Sequence, residues 1–137
     1  LILLKFAFLN GIDESIKVRV LLTFPMLGRW GMVFAVSFFP YARKSSGLGS
    51  LFVEHSKKYY VLLASIQFFI IAIPLLLWRA FPAFIIVGFA TWLMAWRLSK
   101  KLDGLTGDTY GAICEVMETL ALAVISMKYI NTPPFHF

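Results

Sequence analysis

A glycine-rich stretch in the last third of the chain, LDGLTGDTYGA, has the residue types of a phosphate-binding loop that leads into a helix. Glycines let backbone N–H groups approach an anion closely, and a helix N-terminus favours negative charge. Asp108 adds an oxygen ligand of the kind that Mg²⁺ prefers, and Mg²⁺ commonly joins carboxylates to substrate phosphates. The alternative is ordinary capping of the last helix by Asp108 or Thr106, which the pattern taken alone favours.

Two glutamates in the following apolar run add to the chemical interpretation. At about 100° per residue, Asp108, Glu115 and Glu118 fall on one helix face together with the small residues Gly111 and Ala112. An ionisable residue inside a membrane span is costly and is a functional candidate by default. The alternative is structural, a glutamate paired with a buried arginine.

Two arginines are candidate partners for these carboxylates or for a phosphate. Arg29 lies in the middle of an apolar segment, PMLGRWGMV, and we predict that it meets Glu115 or Glu118 or reaches a substrate phosphate. Arg43, in YARKSSGLGS, follows another apolar segment and could contact phosphate with its planar guanidinium. A positive anchor at the membrane surface is the alternative for Arg43, and the pattern alone favours it.

The composition places these residues in a membrane protein. The chain is 60% hydrophobic and 15% charged, with a mean hydropathy of +0.81, whereas soluble domains are about one quarter charged. The net charge of +6 comes from residues between apolar segments, which argues against nucleic-acid binding. One cysteine and two histidines exclude an intramolecular disulfide and make a zinc site improbable.

Apolar runs predict the elements that position the candidate site. The first run is shorter than the roughly 20 residues of a membrane-spanning helix, so we interpret it as the end of a truncated one. The predicted runs cover residues 1–9, 20–39, 59–78, 81–96 and 111–129. The expected fold is an all-α, polytopic integral membrane bundle with four full transmembrane helices plus the end of a truncated one. We expect one transmembrane domain over residues 1–137, a fragment that lacks the N-terminal part of a longer protein.

The charges between the runs predict which ends face the cytoplasm. Connections 41–58 and 97–108 share one side of the expected bundle, and the positive-inside rule assigns that side to the cytoplasm. The YAR and GLTGD segments then face the same compartment. The cations on that side are Arg43, Lys44, Lys57, Lys58, Arg97, Lys100 and Lys101, against Lys17, Arg19, Arg79 and Lys128 on the other.

Two motifs resemble a known family. GLTGDTYGAICEVMETLAL is similar to the C-terminal signature of the cobalamin synthase family (adenosylcobinamide-GDP ribazoletransferase), which shows a GGLTGD-x-x-GA-x-x-E stretch. LGRWGMV, followed by FPYAR and GLG, also resembles that family. The resemblance covers nearly the whole chain. It departs at Asp103, where the family commonly has a second glycine.

The resemblance implies a multi-pass enzyme of the cell (inner) membrane. Such an enzyme joins adenosylcobinamide-GDP to α-ribazole or its 5′-phosphate, releases GMP and requires Mg²⁺. By the matching motifs, Asp108 and Glu115 are the expected catalytic and metal-binding residues. Arg43, Arg29, Thr106 and Gly107 are the expected contacts of the substrate phosphates. Membrane lipid is an expected partner, a homo-oligomer is left open, and the family's aspartate-rich D-G-x-x-D stretch is expected upstream of Leu1.

Other interpretations remain open from the sequence. A CDP-alcohol phosphotransferase that makes phospholipid uses similar membrane helices, aspartates and Mg²⁺. A small transporter or channel subunit would line a path with Arg29 and Glu118, and a structural membrane subunit would have no chemistry at all. Release of GMP would separate the expected enzyme from a transporter, which would show flux instead.

Overall fold

The computed structural model describes residues 1–42 and 57–130, with side chains described up to Met127. These residues fold into α-helices, without a β-strand, and so confirm the predicted all-α class. A short 3-10 turn, Leu77–Arg79, separates the third and fourth helices. The helices are α1 (Ile2–Asn10), α2 (Glu14–Phe38), α3 (Tyr59–Leu76), α4 (Ala80–Leu102) and α5 (Gly107–Ile130).

Helix α2 begins six residues before the predicted start of its apolar run. The Asp13 carboxylate caps the helix by accepting a hydrogen bond from the backbone N–H of Ser15 at 2.8 Å. Glu14 lies in the first turn, near the positive end of the helix dipole, and pairs with Lys17. The predicted runs 1–9 and 20–39 left residues 10–19 as a connection, and this was wrong, since a polar first turn lengthens the helix.

The chain reverses direction between α3 and α4. Leu77 has a φ of 54° and a ψ of −141°, which ends α3 just after Pro74. The Phe69 ring then lies 5.0 Å from Phe81 and 4.8 Å from Phe84. Residues 15 apart in a straight helix would be separated by about 22 Å. The two helices therefore form a hairpin, and its turn lies at the junction of the predicted runs 59–78 and 81–96.

Helix α2 is the centre of the packing and contacts α3, α4 and α5. Two glycines make the contacts close. A Cβ atom on Gly28 would lie 2.2 Å from Cγ of Glu118, and one on Gly31 would lie 3.0 Å from Oγ1 of Thr91. Small residues at helix crossings are typical of membrane bundles, because they let backbones approach. Helix α1 packs against α5.

Three helical segments are long and apolar enough to cross a membrane. Much of the apolar surface along them is exposed, as expected of helices that face lipid. The structure thus agrees with the predicted membrane class. The three segments are Glu14–Phe38, Tyr59–Leu102 and Gly107–Met127.

Candidate functional site

Two hydrogen bonds join the end of α2 to the loop before α5. The backbone N–H of Ala42 donates to the Leu105 carbonyl at 2.8 Å, and the N–H of Leu105 donates to the Pro40 carbonyl at 2.8 Å. These bonds form an isolated parallel bridge between Tyr41 and Leu105. The FPYA and GLTGD segments, far apart in the sequence, thus lie together at one end of the bundle.

Gly104 makes this bridge possible. Its φ of +131° is in a region that side-chain-bearing residues rarely adopt. A Cβ atom at this position would lie 2.6 Å from the backbone nitrogen of Ala42, and backbone atoms cannot move aside as a flexible side chain does. The absence of a side chain at Gly104 therefore allows its backbone to approach the backbone of Tyr41 and Ala42.

Thr106 caps helix α5. The backbone N–H of Thr109 donates to the Thr106 hydroxyl at 3.4 Å, and the N–H of Thr106 donates to the Thr109 hydroxyl at 2.8 Å. This reciprocal pair has the form of a capping box. Of the two predicted caps, Thr106 is the one the structure shows, and Asp108 lies within the first helical turn.

The face of α5 that follows this cap is open. Gly107, Asp108, Gly111 and Ala112 are exposed, and a Cβ atom on either glycine would meet nothing within 4 Å. The structure therefore leaves room for a ligand beside the helix N-terminus, where N–H groups are free to bind an anion. Glu115 continues the same face two turns further along, and its side chain is 51% exposed.

The partner of the two glutamates is a lysine of α1. Nζ of Lys5 lies 2.8 Å from Oε2 of Glu115 and 2.6 Å from Oε2 of Glu118. Of the two alternatives predicted for Arg29, the contact with Glu115 or Glu118 is not formed, and the contact with a substrate phosphate stays a prediction. The lysine approaches α5 from α1, and its ammonium forms ion pairs with two carboxylates, which lowers the cost of placing their charge in the membrane.

Glu118 is held more tightly than Glu115. Its side chain is 13% exposed and packs over Gly28, and its Oε1 accepts a hydrogen bond from the Cys114 thiol at 3.7 Å. These contacts give Glu118 a structural role between α1, α2 and α5. Glu115 is the more accessible of the two carboxylates.

Arg29 lies on a different side of α2. Its side chain is exposed, and it makes no ion pair with any carboxylate among residues 1–42 and 57–127. It lines a groove of about 380 Å³ between α2 and α3. The second predicted phosphate contact, Arg43, lies outside the described residues.

Tyr110 and Tyr41 lie beside the bridge and were not candidates from the sequence. Their rings stack with centroids 6.5 Å apart. Tyr110 is only 5% exposed, and its hydroxyl has no hydrogen-bond partner in the described part of the chain. A tyrosine three residues into a capped helix carries no sequence signal that separates a packing role from a binding role.

The described residues fit one Mg²⁺ ligand better than a complete metal centre. They contain no group of three or more histidine, cysteine, aspartate or glutamate side chains that could hold a metal ion. Mg²⁺ often uses only one or two protein carboxylates and completes its octahedron with waters and substrate phosphates. The exposed Asp108 suits that mode of binding.

Comparison with known proteins decides the family. The model of the cobalamin-5-phosphate synthase family matches residues 1–126. The chain belongs to the cobalamin-5-phosphate synthase family. It is 38% identical over 128 residues to an adenosylcobinamide-GDP ribazoletransferase of Desulforamulus reducens, a match that covers 90% of this chain and 49% of the relative.

Two further relatives are also named adenosylcobinamide-GDP ribazoletransferase. The protein of Herpetosiphon aurantiacus is 38% identical, with 92% of this chain and 50% of the relative covered. The protein of Clostridium acetobutylicum is 28% identical, with 90% and 49% covered. The chain thus spans about half the length of the curated relatives it matches. No solved structure matches the chain.

Asp103, where this member of the family departs from the usual glycine, has a local explanation. Asp103 ends α4 with a φ of 53° and a ψ of 35°, a left-handed conformation. Glycine adopts it without cost, and aspartate is among the few other residues that tolerate it. The carboxylate therefore occupies a helix-terminating position that either residue can fill.

Proposed function

We propose that this chain forms part of an enzyme that joins adenosylcobinamide-GDP to α-ribazole or its 5′-phosphate and releases GMP. Family membership supports this activity. The relatives that carry the corresponding name are matched by this chain over about half of their length. The observation that carries the proposal is the bridge between Tyr41 and Leu105, because it brings the two family-like motifs to one end of the bundle.

The reaction is a phosphoryl transfer. A ribose hydroxyl of the nucleoside attacks the phosphorus that is attached to cobinamide. The new oxygen–phosphorus bond forms as the bond to GMP breaks, and GMP leaves with the electron pair. Such transfers depend mainly on positioning and on stabilisation of phosphate charge. The N-terminus of α5 would supply both, because the space beside Gly107 is open and the first N–H groups of a helix can bind an anion.

Two carboxylates have distinct places in this proposal. Asp108 is the proposed Mg²⁺ ligand, and the ion would supply charge neutralisation at the pyrophosphate. Glu115 lies about 10 Å further along the helix axis, so it would act separately, as the base for the ribose hydroxyl or on a second ion. Lys5 holds the Glu115 carboxylate in place. Thr106 caps the helix and so fixes the direction of the N–H groups.

We also propose the membrane arrangement in its finer form. Helices α3 and α4 would cross separately, since they form a hairpin, and this gives four full crossings with α1 as the end of another. The YAR and GLTGD segments would face the cytoplasm of a cell with an inner membrane. Two observations support one shared side: the hydrogen-bonded bridge and the excess of cations at this end.

Release of GMP tests the proposed activity. The full-length protein in detergent or vesicles is given adenosylcobinamide-GDP, α-ribazole and Mg²⁺, and GMP is measured over time. We expect release that depends on both substrates and falls at least about 100-fold in Asp108→Ala, since one charge-stabilising group typically contributes this much. Asp103→Asn, near the same loop but at the end of α4, is the matched control.

Two outcomes would contradict the proposal. A wild-type protein that releases no more GMP than a reaction without α-ribazole would exclude the activity. Equal loss in Asp108→Ala and Asp103→Asn would exclude the specific role of Asp108.

A further inference from the structure

The groove between α2 and α3 combines a cation with apolar walls. Arg29 and Gln67 are its exposed polar side chains, and neither has a hydrogen-bond or ion-pair partner among the described residues. Both belong to segments that are otherwise largely apolar and long enough to cross the membrane. Polar side chains in such positions are costly unless a partner meets them.

Within the described residues, the two glutamates of α5 that the sequence offers to Arg29 pair with a different cation. Lys5 binds both Glu115 and Glu118, the glutamates on the neighbouring stretch of α5. Glu118 lies against Gly28, directly before Arg29 in α2. Arg29 pairs with neither glutamate and lines the groove on the α3 side of α2, where no carboxylate of the described residues meets it.

The apolar walls of the groove are fixed in place. The indole N–H of Trp30 donates to the Ser65 hydroxyl at 2.8 Å, and its ring lies 4.6 Å from Phe84. Trp30 is 7% exposed and Phe68 only 1%. Both rings are therefore held by packing and form a rigid apolar floor, so little ordering of the groove is needed when a ligand binds.

The size and polarity of the groove indicate the class of ligand. A volume of about 380 Å³ lies within the range of small-molecule sites. The apolar lining favours a compact apolar body such as a nucleoside base, and a guanidinium favours a phosphate through two parallel hydrogen bonds. A nucleoside monophosphate combines these features in one molecule.

We infer that this groove is the subsite for the nucleoside substrate, with Arg29 on its 5′-phosphate and Gln67 on a polar group of the same molecule. The inference rests on the proposed function, in which α-ribazole or its 5′-phosphate is the acceptor. Arg29 then selects the phosphorylated form. Arg29 lies about 13 Å along α2 from the helix end near the bridge. In this arrangement the nucleoside lies deeper in the membrane than the pyrophosphate, which is placed at the N-terminus of α5.

The inference is tested by comparing the two forms of the nucleoside. The full-length enzyme is assayed for GMP release with α-ribazole and with α-ribazole 5′-phosphate, and KM is measured for each. We expect wild type to prefer the phosphate, and Arg29→Met to reduce that preference about 10- to 150-fold, the range for a charge-assisted hydrogen bond. Arg29→Lys, which keeps the charge without the planar fork, should reduce it less. Lys101→Met, which removes a cation at the end of α4, should keep the wild-type preference.

Gln67→Leu provides a second, independent variant. We expect it to raise KM for both nucleosides by a similar factor, because its amide is not assigned to the phosphate. Equilibrium dialysis of the two nucleosides in the absence of adenosylcobinamide-GDP measures binding without turnover. It should show the same preference in wild type and its loss in Arg29→Met.

The outcomes separate the inference from the proposed activity. Wild-type GMP release with no preference between the nucleosides, or a preference unchanged in Arg29→Met, overturns the subsite and leaves the activity standing. Preferential binding of the phosphate without GMP release overturns the activity and leaves the subsite standing. An Arg29-dependent requirement for phosphatidylglycerol in place of nucleotide preference would assign the groove to an anionic lipid and overturn the inference.

Discussion

At the scale of single residues, the candidate site depends on a few positions where backbone or charge has little freedom. Gly104 permits the contact with Ala42, and Asp103 ends α4 in a left-handed conformation. Lys5 fixes two carboxylates of α5. Each of these effects can be measured by a substitution that has a matched control in the same chain.

Gly104→Ala should destabilise the protein. The new Cβ would meet the Ala42 backbone, and the residue would be held at a φ of +131°, so the expected loss is about 2 kcal/mol or more. The measurement is the free energy of unfolding in detergent. Gly111→Ala is the control, because its Cβ would meet nothing and alanine favours an exposed helix by about 1 kcal/mol. Equal effects of the two substitutions would contradict the role of the bridge.

Lys5→Met should also lower the free energy of unfolding. Removing one member of a mostly buried ion pair leaves an uncompensated charge, at an expected cost of about 3 kcal/mol. Lys17→Met removes the exposed pair with Glu14 and should cost less than about 1 kcal/mol. A double-mutant cycle of Lys5→Met with Glu118→Gln should show coupling. If the two effects are simply additive, the pair does not contribute as described.

The sequence predicted some of these residues and missed others for a physical reason. Spacing along one helix is enough to place Asp108 and Glu115 on one face of α5. It cannot tell which helix brings the counter-charge, so Arg29 was chosen and Lys5 was overlooked. The available signal was a lysine inside the apolar run LILLKFAFLN, since an ionisable residue there needs a partner.

At the scale of elements, hydrophobicity predicted where the helices lie. Polar residues at their ends make two of them longer than the apolar runs. Helix α4 continues to Leu102, beyond the predicted end at residue 96, and carries Lys100 and Lys101 in its last turn. Cations near a helix C-terminus interact favourably with the dipole, so these residues extend the helix. An apolar run shows which residues face lipid or the core. Capping residues such as Asp13 and Thr106 show where a helix begins.

The cap of α2 should make stability depend on pH at the acidic end. The backbone N–H of Ser15 stabilises the Asp13 carboxylate and lowers its pKa below the usual value. A lowered folded-state pKa gives stability that is present above the unfolded pKa and is lost as pH falls through the folded pKa. Wild type should therefore lose more stability than Asp13→Asn between about pH 5 and pH 2. Parallel pH curves of unfolding free energy for the two proteins would contradict the cap.

At the scale of the whole molecule, the bridge divides the bundle into two ends. Ser15 lies at the start of α2, and the last residue of this helix, Phe38, lies about 35 Å away, near the bridge. The sequence predicted the membrane class and the shared side of the two motifs from hydropathy and charge. It could not predict the backbone contact between them, because hydrogen bonds between distant segments leave no periodic pattern.

Labelling from each side of the membrane tests this orientation. In a Cys114→Ala background, Lys101→Cys places a thiol at the exposed end of α4, near the bridge. We expect it to react with a membrane-impermeant maleimide in inside-out vesicles and to be protected in spheroplasts. Ser15→Cys, at the opposite end of α2, should show the reverse. Labelling of both thiols from one side would contradict the arrangement.

The bridge can form only late in the synthesis of this segment, because its two partners lie far apart in the sequence. Ribosomes add about 5–20 residues per second, so the roughly 60 residues after Tyr41 take about 3–12 s to emerge before Leu105 can pair with it. During that interval the Pro40 carbonyl and the Ala42 N–H have no backbone partner in that loop. Unpaired backbone groups are tolerated only in contact with water or protein. The end of α2 must therefore stay hydrated at the membrane surface while α3 and α4 insert, and the end of the bundle that carries the bridge is completed last.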